Sequence, residues 1–146
     1  MSYRETTFAY MTANLTQEVT ERLVSDHYGW LTTVTKSGMP VPKLVWFFFD
    51  GAEIVVYTAP GSAKVRHVRE HPQVSLNLDS DGHGGGIIVL GGQARVDAED
   101  ADPREDGSYW AKYGPAADQF GLTESMSGYG ARLRISIDKV WTTPEA

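Results

Sequence analysis

The sequence predicts a mainly β protein, a six-stranded antiparallel sheet, closed or partly closed, with three short helices at its periphery. Three observations lead there. Short runs rich in β-branched and aromatic residues recur between Gly, Pro, Asn and Asp punctuation. Helical apolar spacing is confined to brief stretches. The length, 146 residues, suits one domain over 1–146, and a chain of this size buries roughly 70% of its unfolded surface, enough for one core without staples.

In order, Leu15, Val19, Leu23 and Val24 recur at helical spacing behind a Thr16 cap, giving a helix over 16–26. Trp30 to Thr35 reads as a strand, Lys36-Ser37-Gly38 as a turn, and Val41 to Phe49 as a second strand. Asp50-Gly51 is a hairpin signal before a third strand, Glu53 to Thr58, so these three form a meander. Ala59-Pro60-Gly61-Ser62 turns into a short helix ending at His71-Pro72. Val74 to Leu78 alternates as a strand, and Ile87 to Val96 is a longer one in which Gly91-Gly92 suggests a bulge or bend. Asp97 to Asp106, six acids against one arginine, reads as a solvated segment before a helix over 107–120 carrying Tyr109, Trp110 and Tyr113. Arg132 to Ile137 is the last strand.

Composition narrows the function. With no Cys, disulfides, zinc thiolates and cysteine nucleophiles are excluded. A formal charge of −6 disfavours nucleic acid and anionic membranes, and the longest apolar run, Leu44 to Phe49, is far short of a membrane span. Met1 to Tyr10 lacks the pattern of a secretory signal, so a cytoplasmic location is expected. The sequence offers no support for hydrolase chemistry or a metal. His67 to His71 matches H-x-x-E-H, but Pro72 follows at the helix end and no third ligand is evident. Gly82 to Gly86 fits a hairpin loop better than a phosphate loop.

Val56 to Arg66 is the most informative stretch, a strand running through a Pro-Gly turn into a helix whose first turn bears Ser62 and Lys64, with Arg66 next. Free N–H groups, the helix dipole, a hydroxyl and cations suit an anion; a capped surface helix with solvated cations is the alternative. Trp46, Phe47, Phe48 and Phe49 make both faces of the second strand apolar. One face belongs to the core; the other calls for a partner surface, a ligand or the chain's own helices.

Trp30-Leu31-Thr32-Thr33-Val34, Ser37-Gly38-Met39-Pro40, Phe48-Phe49-Asp50-Gly51, Val56-Tyr57-Thr58, Ser62-Ala63-Lys64-Val65, His71-Pro72-Gln73-Val74 and Gly91-Gly92-Gln93-Ala94, in that order, resemble the pyridoxamine 5′-phosphate oxidase-like superfamily. The resemblance covers roughly 15–141 and is nearest the branch that uses the deazaflavin coenzyme F-420. It implies an FMN-binding split β-barrel, a homodimer with cofactor clefts between subunits, and hydride transfer to a small electrophilic organic substrate. It places Tyr57 and Thr58 beside the cofactor phosphate, with Ser62, Ala63 and Lys64 holding it and Arg66 as a second cation. Lys43, Leu44, Val45 and Trp46 would line the ring, and Gln93, Trp110 and Trp141 would approach from the other subunit. Pro42 stands where oxidases of this family carry Arg, and no Arg-x-His segment precedes Ala146, so vitamin B6 oxidation is not expected. Coenzyme F-420 is the expected cofactor, with FMN, or a non-catalytic flavin- or haem-binding role, as alternatives. No catalytic residue is assigned; Tyr57, Tyr113 and His67 are candidate proton sources.

Overall fold

The computed structural model describes residues 15–142. Helix α1 (Gln17–Ser25) starts at Thr16, whose hydroxyl accepts from the Val19 N–H at 3.2 Å, and it buries Val19 and Leu23. Strands β1 (Tyr28–Val34) and β2 (Pro40–Trp46) form a hairpin around Gly38, whose φ of 97° only glycine adopts freely. The two-residue strand β3 (Phe48–Phe49) pairs with β4 (Ile54–Thr58) across a tight loop. In that loop the Asp50 carboxylate accepts the Ala52 and Glu53 N–H groups at 2.9 and 2.8 Å. Then follow α2 (Ala63–Glu70), β5 (Gln73–Asn77), the long β6 (Ile88–Ala98), α3 (Gly107–Gln119), β7 (Ala131–Ile135) and β8 (Lys139–Thr142).

All pairings are antiparallel in the order β2-β1-β5-β6-β7-β4-β3, with β8 added to the first half of β6. The sheet curls into a half-barrel, because the strands at the two ends of this order, β2 and β3, are consecutive in the chain and flank Phe47. The strand count is eight rather than the expected six. The run expected as one strand over 41–49 breaks at Phe47, and Val140-Trp141 lies in a strand of its own. The expected meander also stops there, since β2 pairs with β1 while β4 lies between β3 and β7. Val45, Phe47 and Phe49 continue the inward alternation through the break, so the side chains keep their face while the backbone changes partner.

Phe47 is held from α3. Its N–H donates to the Tyr113 hydroxyl at 2.9 Å, and that hydroxyl shares its proton between the carbonyl oxygens of Phe47 and of His27, the latter at 2.7 Å. Lys112 donates to the Phe47 carbonyl at 3.2 Å, with its ammonium 4.6 Å from the centre of the Phe47 ring. A main core fills the curl, with Leu31, Phe47, Ile54, Leu76, Ile88 and Leu133 among its buried members. A second cluster, Val55, Tyr57, Tyr109 and Tyr113, lies between the outer face of β4 and α3, which explains why all five β4 residues are buried.

Two further expectations change. The ladder irregularity in β6 falls between Val96 and Ala98, not at Gly91-Gly92. Gly92 is instead a site of close approach, where a Cβ would stand 1.7 Å from the Ser136 carbonyl oxygen. The acidic segment is only partly solvated: Asp97 binds Arg132 and Arg134 at 2.8 and 2.6 Å, and Asp102 binds Arg104 at 2.7 Å. Asp106 caps α3 by accepting from Tyr109 N–H. Gly82 to Gly86 lies in the β5–β6 loop, and no helix among the described residues is long and apolar enough to cross a membrane.

Tyr113→Phe removes the acceptor for a buried N–H and a donor to two carbonyls. It is expected to lower unfolding free energy by about 2 kcal/mol, measured by urea denaturation.

Candidate functional site

Where the ends of β2 and β4 face α3, they leave a cleft of about 260 Å3. One wall is Leu44, Val45 and Trp46 at the end of β2; the floor includes Tyr57, Thr58 and Tyr109. Lys64 of α2 and, from the 122–129 segment, Leu122, Ser125, Met126 and Tyr129 complete the lining. Trp46 is fixed by stacking on Tyr113, with ring centres 4.7 Å apart and planes 9° from parallel. Part of the outer face of β2 is thus covered by the chain's own helix, whereas Leu44 remains 52% exposed.

Ser62 precedes α2 in cap position, but its hydroxyl makes no capping bond; it accepts from the Thr58 hydroxyl at 3.1 Å. The N–H groups of the first turn of α2 therefore lack a side-chain cap. Burial first, and the charge of Lys43 second, hold the Lys64 ammonium below the ordinary lysine range. Neither lysine has an acidic partner among the described residues, and the same holds for Arg66, whose guanidinium reaches only the Gly61 carbonyl at 3.4 Å. Every other described arginine pairs with a carboxylate: Arg22 with Asp26, Arg69 with Glu99, Arg95 with Glu53, Arg104 with Asp102, and Arg132 and Arg134 with Asp97. Lys43 and Lys64 are thus close enough to repel each other with no carboxylate between them, and an anion there would offset the repulsion that Lys64 feels.

Of the expected site residues, Leu44, Val45, Trp46, Tyr57, Thr58 and Lys64 line the cleft, and Ser62 touches it through Thr58. Lys43 lies beside Lys64 electrostatically and so belongs with the cations. Ala63 is exposed in the first turn of α2. Gln93, Trp110 and Trp141 are not in the cleft of this chain. The Gln93 backbone N–H is bound by the Ser136 hydroxyl at 3.0 Å, and Trp110 packs on the tyrosine cluster. The Trp141 ring lies over Gly91 on the outer face of the sheet, 48% exposed.

Tyr109 and the wall from 122 to 129 line the cleft without having been expected there from the sequence. Leu122, Met126 and Tyr129 recur at i, i+4 and i+7, a signal that was there to find. A larger cleft of about 470 Å3 lies beside α1, but its polar groups satisfy one another. Arg22 bonds Asp26, the Asp79 carbonyl and the Gly86 carbonyl, and Tyr28 bonds Asp79.

The candidate proton sources are engaged elsewhere. Tyr57 donates to the Asp106 carboxylate at 2.7 Å; burial first and that carboxylate second push its phenol up to about 12. Tyr113 serves Phe47 and His27. His67 Nδ1 is bonded to the Thr33 hydroxyl at 2.8 Å, and His71 lies 3.4 Å from the Lys36 carbonyl.

A curled antiparallel half-barrel whose two ends meet beside a cleft is the architecture of the split β-barrel proteins. Over residues 15–144 the chain matches the family model for pyridoxamine 5′-phosphate oxidase, and it belongs to that family, whose fold is a flavin-binding one. Solved structures share the fold. An F420 reductase superposes with a TM-score of 0.64 at 19% identity, covering 83% of this chain and 94% of that one. A conserved hypothetical protein from Mycobacterium tuberculosis gives 0.68 at 25% identity, covering 89% and 84%. The heme storage protein HutZ from Vibrio cholerae gives 0.61 at 15% identity, covering 89% and 95%. No curated protein matches the sequence.

Because the Tyr57 hydroxyl ties β4 to the cap of α3, Tyr57→Phe is expected to cost about 1 kcal/mol of stability in urea denaturation. Ligand affinity at the cleft is expected to stay within about twofold of wild type by titration.

Proposed function

We propose that this protein binds a phosphorylated flavin-type cofactor in the cleft, coenzyme F-420 in preference to FMN, and uses it as an oxidoreductase acting on a small electrophilic organic substrate. The observation that carries this reading is Lys64, half-buried in the lining of a partly aromatic cleft, with Lys43 as its charged neighbour and no acidic partner among the described residues. A planar ring joined to a phosphate has the chemistry of both ends. Ser62, the first-turn N–H groups of α2 and Lys64 would hold the phosphate, and Lys43 and Arg66 would add charge for a more anionic tail. The backbone and side chains of Leu44, Val45 and Trp46 would support the ring, with Trp46 held flat by Tyr113.

When bound, such a cofactor supplies hydride chemistry; the chain supplies binding, orientation and a largely apolar cleft. Tyr57, with its proton committed to Asp106, acts as a structural member of the floor. The similarity to an F420 reductase supports the choice of cofactor, and the similarity to a heme storage protein supports the second reading, a carrier that binds a planar ligand without turning it over.

We further propose that the protein works as a homodimer. Leu44, Trp30, Asn77, Val89 and Trp141 lie in register across β2, β1, β5, β6 and β8 on the outer face. Leu44, Trp30 and Trp141 are 52%, 46% and 48% exposed, an apolar row in need of cover. Gln93 and Trp141, absent from the chain's own cleft, would then reach the partner's.

Side-by-side titration with F-420 and FMN, followed by absorbance, tests the cofactor reading. Lys64→Ala is expected to weaken binding at least about tenfold, as for a charge-assisted contact. Since the free Lys64 ammonium is held below the ordinary lysine range, wild-type affinity is expected to fall on raising the pH through its lowered pKa, a fall missing in the variant. Equal affinity of the two proteins would remove the phosphate site. Sedimentation equilibrium is expected to give twice the 16.1 kDa chain mass, with Trp30→Asp shifted toward the monomer.

A further inference from the structure

The hydroxyl groups around the cleft are almost all spoken for. Tyr57 donates to Asp106, Thr58 to Ser62, and Ser125 to the Leu122 carbonyl at 2.8 Å, while Tyr113 is shared between Phe47 and His27. Tyr109 is 1% exposed. Tyr129 differs from all of these in combining access with a free donor: it lines the cleft and is 42% exposed, and its hydroxyl, like that of the buried Tyr109, has no hydrogen-bond partner among the described residues.

Its backbone, in contrast, is anchored on both sides. Tyr129 N–H donates to the Met126 carbonyl at 3.0 Å. The next residue, Gly130, accepts from Ala101 N–H at 3.0 Å and lies so close to the 99–101 stretch that a Cβ there would stand 3.1 Å from the carbonyl oxygens of both Glu99 and Ala101. Placing an unsatisfied donor on a fixed backbone at a cleft wall is how a site orients a bound acceptor without meeting the cost of ordering a loop. The rest of this wall is the apolar Leu122 and Met126 and Ser125, whose hydroxyl is bonded to the Leu122 carbonyl. Among the described residues that line the cleft Lys64 alone is charged, and it is assigned above to a phosphate.

We propose that Tyr129 is the substrate-contacting residue of the cleft, its phenol donating a hydrogen bond to a carbonyl oxygen of a planar, uncharged conjugated compound held against Leu122 and Met126. This rests on the cofactor reading, which assigns Lys64 and the β2 wall to the cofactor and leaves the 122–129 wall for the substrate. The described residues of the lining include no carboxylate, which selects against cationic ligands, and the aromatic and thioether surface favours a flat ring.

The test uses protein loaded with oxidised F-420, or with FMN if that is the cofactor taken up, and 2,3-dimethyl-1,4-naphthoquinone as the probe, with affinity read by equilibrium dialysis. Tyr129→Phe keeps the ring and removes the hydroxyl. It is expected to leave the melting temperature and the cofactor affinity unchanged and to weaken probe binding about five- to tenfold. Met126→Ala is expected to weaken the probe while sparing the cofactor. Equal probe affinity in wild type and Tyr129→Phe overturns the proposal and leaves the cofactor reading standing. So does a loss of cofactor affinity in Tyr129→Phe, which would move Tyr129 to the cofactor side. Wild-type protein that takes up neither F-420 nor FMN overturns the functional reading itself, and with it the substrate role of Tyr129.

Discussion

Everything in this fold that matters for the cleft depends on how one backbone unit is satisfied. At Phe47 the chain leaves the ladder with β1 and has not yet joined the ladder with β4, so a buried N–H and C=O have no strand partner. An orphaned pair of this kind would cost several kcal/mol in an apolar interior. The Tyr113 hydroxyl answers both groups at once, and Lys112 adds a charged donor to the carbonyl. The same tyrosine stacks on Trp46, so one side chain of α3 closes the curl and sets the ring that walls the cleft. Burial brings the Lys112 ammonium down to about 8, the expected consequence of using a cation as a bridge in a half-dry place.

Charge is arranged by subtraction. The net charge of −6 describes a molecule that disfavours polyanions, yet along β6, β7 and the turns around them several acids are tied up by arginines: Glu53 by Arg95, and Asp97 by Arg132 and Arg134. Among the charged side chains that line the cleft or act on it, Lys64 and Lys43 have no such partner among the described residues. A cleft with a cation in a partly aromatic lining is defined as much by where carboxylates are missing as by which cations are present.

Local chemistry made much of this legible before any coordinates. Thr16 and Ser62 mark helix starts, Gly38 and Asp50-Gly51 mark turns, and the order of short motifs points to the family. Ser62 and Lys64 were found because their signal lies within one turn of sequence. Illegible were the features set by distant parts of the chain. The break at Phe47 is caused by Tyr113, 66 residues away. The need for Gly92 comes from the Ser136 carbonyl, and the company of Lys43 from the way β2 passes α2. The apolar spacing of Leu122, Met126 and Tyr129 is a real but brief signal, one turn long among polar and glycine neighbours, and it does not by itself point to a cleft. Trp110 reads as an available aromatic in the sequence, whereas its ring packs on the tyrosine cluster and over Gly114.

Gly92 also divides β6 into two ribbons with different allegiances. Before it, Ile88 to Gly91 zip to β8; after it, Ala94 to Ala98 zip to β7, and the Ser136 backbone crosses the strand at the join. β8 is bonded to nothing else in the sheet, so it is able to fray as a unit without disturbing the β7 ladder that holds β4 and the cleft floor. Within one chain, loosening of the β8 edge is thereby kept apart from the ladder that carries the cleft floor, and disorder at that edge need not propagate to β4.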